Sequence, residues 1–326
     1  MKKLLFAGVT AFSDGVCLMN RKFVGVLPAK LFRVQKKAPG IARRLEFLVK
    51  MALSRKIVVS GLSVKACDVK LAKLLNKKVV YIMHGNAWLE TGREHPAETA
   101  LLKHSDLILC VSEWYAGEMR KAYPQYASKI DALYNGINWE FEETLPQRLS
   151  TDQVSRKVVL FGGGRIEKGN LEVCRAVQSL VDAGDADLKV DVYGEMRVED
   201  FSREIASIPC VSFHNLVTPD QVGAILGTAD VFVANSSRDT FNVAVAEALM
   251  AGCSVLISES VGIKTLIPSL SESDIIKSTR DVEEIKEKIK ILLDCPNNRR
   301  LLDSMDRDAT SMDHWVSDLV SKVDKL

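Results

Sequence analysis

Several protein classes are excluded by what this chain lacks. Its seven cysteines (Cys17, Cys67, Cys110, Cys174, Cys210, Cys253 and Cys295) contain no Cys-x-x-Cys pair, and its five histidines show no metal-ligand spacing. A disulfide scaffold and a zinc site are therefore disfavoured, and reduced core cysteines imply a cytoplasmic location. No apolar run approaches the roughly 18 residues that a membrane-spanning helix needs, and no low-complexity tract argues for disorder. The opening Met1-Lys2-Lys3 followed by Leu4 to Phe12 has a signal-peptide outline. It includes Gly8 and Thr10, however, and no small-x-small cleavage site follows, so it reads as a first buried strand. No Gly-x-Gly-x-x-Gly follows that strand, which disfavours a dinucleotide dehydrogenase.

What is present is a soluble enzyme's composition, 47% apolar and 26% charged over 326 residues, enough chain for two α/β domains. The net charge of +2 hides a split. Residues 1–150 carry 24 Lys and Arg against 13 Asp and Glu (+11), and the remainder 20 against 29 (−9). The N-terminal half is expected to face something anionic.

Short β-rich apolar runs alternate with helical patterns, which predicts parallel α/β architecture. Strands are expected at Leu4–Val9, Ile57–Ser60, Val79–Met83, Leu107–Val111 and Ile130–Tyr134, with helices over Ile41–Leu53, Ala66–Leu75 and Glu113–Ala122. Trp139 to Arg156 is polar and aperiodic and reads as a linker. A second set follows at Val158–Phe161, Val190–Tyr193, Val231–Ala234 and Val255–Ser258. The pattern predicts two tandem Rossmann-like domains, 1–155 (with linker) and 156–311. A helix over 312–326, with Trp315, Leu319 and Val323 on one face, is expected to pack back on the first.

The sharpest motif runs from Asn235 through Asp239 and Glu247 to Gly252 and Ser258. A strand ends at Asn235, a polar loop follows, and a helix begins near Phe241 and stops at Gly252, where a left-handed cap is expected. Such a helix N-terminus is suited to bind an anion. Taken alone, Asp239 reads as an N-cap and Glu247 as a solvated helix residue. Other motifs accompany it: Val111-Ser112, Tyr134-Asn135-Gly136-Ile137, Gly162-Gly163-Gly164-Arg165 through Lys168-Gly169, Val192-Tyr193-Gly194-Glu195, Phe213 to Val217, and Gly262. In this order they resemble the signature of retaining family 4 glycosyltransferases of the GT-B fold, across nearly the whole chain.

The resemblance implies an α/β GT-B enzyme with an interdomain cleft. In that family the position of Glu247 binds the ribose hydroxyls of a nucleotide-sugar donor, and that of Asp239 contacts the transferred sugar. Amides near Thr240, Phe241 and Asn242 hold the diphosphate, Arg165 and Lys168 neutralise it, Gly163 lies in the phosphate turn, and Val217 meets the base. His84, ending a strand in Tyr81 to Gly85, would face the sugar; without the other motifs it reads as a satisfied surface histidine. Gly15 and Asp14, after the first strand, match a loop near diphosphate and acceptor. The implied reaction retains anomeric configuration and uses no metal (no Asp-x-Asp is apparent) and no cofactor, the nucleotide-sugar, taken as a UDP-sugar, being substrate. A glycan or lipid-linked acceptor in surface polysaccharide or glycoconjugate synthesis is implied, with the enzyme peripheral at the inner membrane face.

Three positions depart from the family pattern. Asp239 is shorter than glutamate by about 1.5 Å, Asn242 replaces a glycine, though Asn tolerates left-handed backbone, and the Arg165–Lys168 loop is short. These keep open a catalytically silent GT-B subunit that binds or activates a partner transferase; a nucleotide-sugar epimerase shares the tandem plan without support from these motifs. The basic stretch from Lys30 to Lys56 admits two readings. One is a solvated rim on a helix whose Ile41, Leu45, Leu48 and Ala52 pack on the sheet. The other is a patch docking on anionic headgroups or a polyanionic glycan. Nucleic acid is not expected as a partner, because no binding motif accompanies the charge.

Overall fold

The computed structural model describes residues 4–9, 20, 30–34, 41–145, 156–196 and 199–326. The chain divides into two compact units, Met1–Gly136 together with Asp308–Leu326, and Ile137–Arg307.

The first unit is a parallel sheet of β1 (Leu4–Val9), β2 (Lys30–Val34), β3 (Lys56–Ser60), β4 (Lys78–Met83), β5 (Leu107–Cys110) and β6 (Ile130–Ala132). They lie in the order β2-β1-β3-β4-β5-β6. Helices α1 (Ile41–Ala52), α2 (Ala66–Leu74), α3 (Ala87–Thr91), α4 (Pro96–His104) and α5 (Glu113–Ala122) connect them. The strands are short and apolar because a parallel sheet covered by crossover helices is buried on both faces; Val58, Val80, Ile108 and Leu109 are wholly inaccessible.

The second unit repeats the plan. Strands β7 (Lys157–Phe161), β8 (Lys189–Tyr193), β9 (Val211–His214), β10 (Val231–Ala234), β11 (Ser254–Ser258) and β12 (Ile275–Ile276) are joined by helices. These are α6 (Asn170–Asp182), α7 (Glu199–Ser207), α8 (Pro219–Leu226), α9 (Val243–Met250), α10 (Val282–Asp294) and α11 (Asn298–Asp303). Their order, β12-β11-β10-β7-β8-β9, places β7 between strands reached in opposite directions. Val158, Leu160, Val177, Val190 and Leu256 centre its core.

Helix α12 (Met312–Asp324) groups with the first unit. Trp315, Leu319 and Val323 are buried. Lys322 Nζ meets Asp131 Oδ2 at 2.5 Å, and Lys56 Nζ donates to the Val323 carbonyl at 2.8 Å, a cation at a helix C-terminus. Gly136 makes this approach possible, since a Cβ there would lie 2.6 Å from Met312 Sδ.

Two expectations are corrected. Among the described side chains of α1, which exclude those of Ile41 to Arg44, the buried ones are Phe47 and Met51, which line a small void with Ile57, Val59, Val64 and Val79. Leu45 and Ala52 are exposed and Leu48 half-buried, so the helix is rotated from the face read in sequence, with its largest apolar side chains inward. The segment read as a linker starts structured. Trp139–Thr144 forms a 3-10 turn, with Arg307 over the Trp139 ring at 4.7 Å and bonded to Glu142 at 2.7 Å. The first unit gives way to the second between Gly136 and Ile137; residues 146–155 lie outside the described residues.

Candidate functional site

In the second unit the chain leaves β7 toward β8 on one side and later returns to β10 on the other. In open α/β sheets, ligands bind outside the carboxyl ends of the strands at such a reversal. Here that position is flanked by the turn after β7, Gly162 to Gly169, and the loop after β10, Asn235 to Asn242.

The first of these is built by glycine. The amides of Gly162 and Gly163 both donate to the Tyr193 carbonyl at 2.9 Å, and Gly164 to that of Glu195 at 3.0 Å. The turns after β7 and β8 therefore stack backbone on backbone. Gly163 has φ 57° and Gly194 φ 147°, and a Cβ on Gly163 would lie 2.6 Å from the Glu195 oxygen. Only glycine fits such a contact. Arg165 folds over the turn, its Nε donating to the Gly162 carbonyl at 3.3 Å. The neighbouring Tyr193 hydroxyl is pushed to higher pKa by burial and by Asp191.

The two segments are stitched together. Ser237 N–H donates to the Glu167 carbonyl at 2.8 Å, and Asn235 Nδ2 to those of Gly169 and Thr279 at 3.0 and 2.9 Å. Between them Lys168 Nζ contacts Asp239 Oδ2 at 2.5 Å, with side chains 17% and 13% exposed. The same oxygen accepts Asn242 Nδ2 at 3.0 Å, while Oδ1 lies 3.4 Å from the Phe241 amide. Asp239 is therefore no N-cap. That place is held by Asn242, left-handed at φ 70° and ψ 77°. Phe241, 2% exposed, roots the loop, and its carbonyl accepts the Ile263 amide at 2.8 Å. Gly262 N–H donates to the Asp239 carbonyl at 2.9 Å.

The structure thus brings Lys168, Asp239, Phe241 and Asn242 into one cluster, with Arg165 and Gly163 on its β7 side and Thr240 within the loop. Glu247 is half-buried on α9, the helix that this loop opens. Val217 is half-buried in the loop after β9, a strand that ends at His214. His84 belongs to the first unit, directly after β4, with Nε2 2.9 Å from Ser60 Oγ at the end of β3. Asp14 and Gly15 lie outside the described residues. Sequence reasoning overlooked Asn235 as the stitch between loops and Ser60 as the partner of His84. Each is a buried polar residue at the carboxyl end of a strand, and that position was the available signal.

Comparison with known proteins bears on this geometry. A family profile described as "Glycosyl transferases group 1" matches residues 156–295, and one described as "Glycosyltransferase Family 4" matches residues 28–141. Both profiles are of glycosyltransferases, and the fold is GT-B. An uncharacterized glycosyltransferase of Methanocaldococcus jannaschii is 29% identical over 184 residues, 53% of this chain and 47% of the relative. The sulfoquinovosyl transferase of Arabidopsis thaliana is 26% identical over 224 residues, 66% of this chain and 43% of that one. The chain spans less than half the length of these curated relatives. Among solved structures, Anabaena HepE in complex with UDP superposes with a TM-score of 0.74 at 13% identity, covering 99% of this chain and 100% of that one. HepE was also solved with UDP-glucose. At such identity the likeness shows the shared fold. Among the described residues no helix is long and apolar enough to cross a membrane.

Proposed function

We propose that this glycosyltransferase takes its sugar from a nucleoside diphosphate sugar held by the second unit, with a UDP-sugar as donor. The observation that carries the reading is the meeting of the glycine turn after β7 with the loop after β10 across the reversal of strand order, two cations lying on the turn. A diphosphate would take Lys168 and Arg165 as counter-charges and the amides around Thr240, Phe241 and Asn242 as hydrogen-bond donors. That preorganised field stabilises charge as the diphosphate leaves. Glu247 would accept both ribose hydroxyls, a task suited to a carboxylate, and Val217 would border the base. Asp239 is the residue assigned to the transferred sugar.

With cations in this role no metal or other cofactor is required. Attack on the face the diphosphate leaves would retain the anomeric configuration, the diphosphate oxygen taking the acceptor proton. Positioning then does more than any side-chain nucleophile. The acceptor is a glycan or lipid-linked saccharide of surface polysaccharide or glycoconjugate synthesis, met at the inner face of the membrane. The basic N-terminal half supports that placement, as do Leu45 and Val49 on α1 and Leu53 directly after it, each more than half exposed. An apolar stripe within a basic stretch suits an anionic lipid surface.

The decisive test is calorimetric titration of the full chain with UDP and UDP-sugars, followed by donor turnover. Saturable binding that Lys168→Met and Glu247→Ala each weaken supports the reading. Absence of nucleotide binding would refute it, and binding without any turnover would favour the silent-subunit alternative.

A further inference from the structure

We infer that the first unit carries a preformed carbohydrate subsite, a pocket of about 160 Å³ walled by Trp88, Tyr123 and Tyr126, which holds one pyranose ring of the acceptor glycan. The inference rests on the transferase reading above and names where part of the acceptor is gripped.

The observation behind it is the effort the fold makes to present Trp88. Helix α3 is five residues long, far too short to persist alone. It is fastened at every terminus. Asn86 Oδ1 accepts the Leu89 amide at 2.8 Å, the buried Glu98 carboxylate accepts the Ala87 amide at 2.9 Å, and Gly92, left-handed, donates to the Trp88 carbonyl at 2.8 Å. Asn86 is fixed in turn by the Tyr123 hydroxyl at 3.3 Å. The side chain so fixed is not used for the core: Trp88 is 47% exposed. A large aromatic held rigid and left open to water is the arrangement of a binding surface, because preorganisation removes the ordering cost from the binding step.

The surroundings define the occupant. Trp88 meets Tyr123 edge to face with centroids 6.5 Å apart, and Tyr123 stacks on Tyr126 at 6.4 Å, forming a continuous aromatic wall. Glu94, Thr99 and Gln125 line the same pocket and are exposed, offering acceptors and donors for hydroxyl groups. A pyranose has this dual character, an apolar C–H face and a rim of hydroxyls, and aromatic walls with a few polar groups are how small-molecule pockets combine affinity with orientation. A cationic ligand fits less well, since Lys129 Nζ already sits 4.6 Å above the Tyr126 ring and Glu98 is committed to α3.

The test is titration of the full chain with maltohexaose, chitohexaose, xylohexaose and hexagalacturonate, read by tryptophan fluorescence and saturation-transfer NMR. At least one should bind saturably, Trp88→Ala should weaken it at least tenfold, and Trp88→Phe should stay within about threefold of wild type. UDP binding should be unchanged in Trp88→Ala. The subsite is overturned if none of the four saturates, if Trp88→Ala binds as well as wild type, or if choline alone gives a Trp88-dependent response. Saccharide binding without any UDP binding would instead leave the subsite standing and remove the donor assignment.

Discussion

Replacing Asp239 by Asn should tighten nucleoside diphosphate binding, although Asp239 lies within the proposed donor site. The Lys168 ammonium is paired with Asp239 at 2.5 Å, both side chains largely buried. An incoming diphosphate must displace that carboxylate. At an effective dielectric near 20 the bare attraction is about 7 kcal/mol, but rehydration of the released carboxylate returns most of it. A charge-assisted hydrogen bond retains a net ~1.5–3 kcal/mol. If the diphosphate must overcome even half of that, Asp239→Asn strengthens UDP binding by about 3- to 12-fold, at ~1.4 kcal/mol per factor of ten. Sugar transfer should fall in the same variant, because the carboxylate freed by donor binding is the one assigned to the sugar. Isothermal titration with UDP reads the affinity. In a Lys168→Met background the Asp239 substitution should change nothing further, the cycle isolating the pair. Equal or weaker UDP binding by Asp239→Asn, in a protein of unchanged melting temperature, would refute the competition.

Other outcomes follow from the same geometry. Glu247→Ala should weaken UDP binding by about 10- to 100-fold, the worth of hydrogen bonds to a charged group, and abolish discrimination against 2′-deoxy-UDP in competition titrations. Gly163→Ala should cost about 2–4 kcal/mol in urea unfolding of the second unit, from left-handed backbone and the contact with the Glu195 carbonyl. Burial raises the Asp106 pKa, but bonds from Lys73 and the Val79 amide outweigh it and leave the group below its ordinary value. Its contribution to stability is therefore present above about pH 4 and lost as pH falls through the lower folded value. Asp106→Asn should lower the melting temperature at pH 7 and converge with wild type once the pH has fallen below the lowered folded value. Co-sedimentation with phosphatidylglycerol vesicles should fall with salt and drop several-fold when Leu45, Val49 and Leu53 are changed to Ser; salt-independent binding would contradict the surface-docking reading.

The sheets were legible because each strand buried on both faces is an apolar run, so β3, β4, β7 and β10 stand out along the chain. Strand β2 was not. Lys-Leu-Phe-Arg-Val carries two cations in five residues and reads as part of the basic stretch, yet it pairs with β1 from Lys30 to Val34 at the sheet edge. The inward face of α1 was misjudged because Leu45 and Leu48 fit a helical stripe as well as Phe47 and Met51 do; which pair faces the sheet depends on the space left by Ile57 and Val79, a tertiary matter. At the site, motif spacing located Lys168 and Asp239 separately. That they are bonded to each other depends on β7 and β10 being neighbours, a pairing between segments about seventy residues apart that no local pattern encodes.

Helix α12 is translated after the whole second unit, yet its Trp315, Leu319 and Val323 complete the hydrophobic packing of the first. On the ribosome the N-terminal sheet is therefore synthesised long before it can be finished, and during that interval the bed for these three side chains is bare, a state prone to association. A fragment stopped at Gly136 should inherit that vulnerability permanently. Because Met312 rests against Gly136, a direct splice of residues 308–326 behind residue 136 offers a self-sufficient version of the first unit.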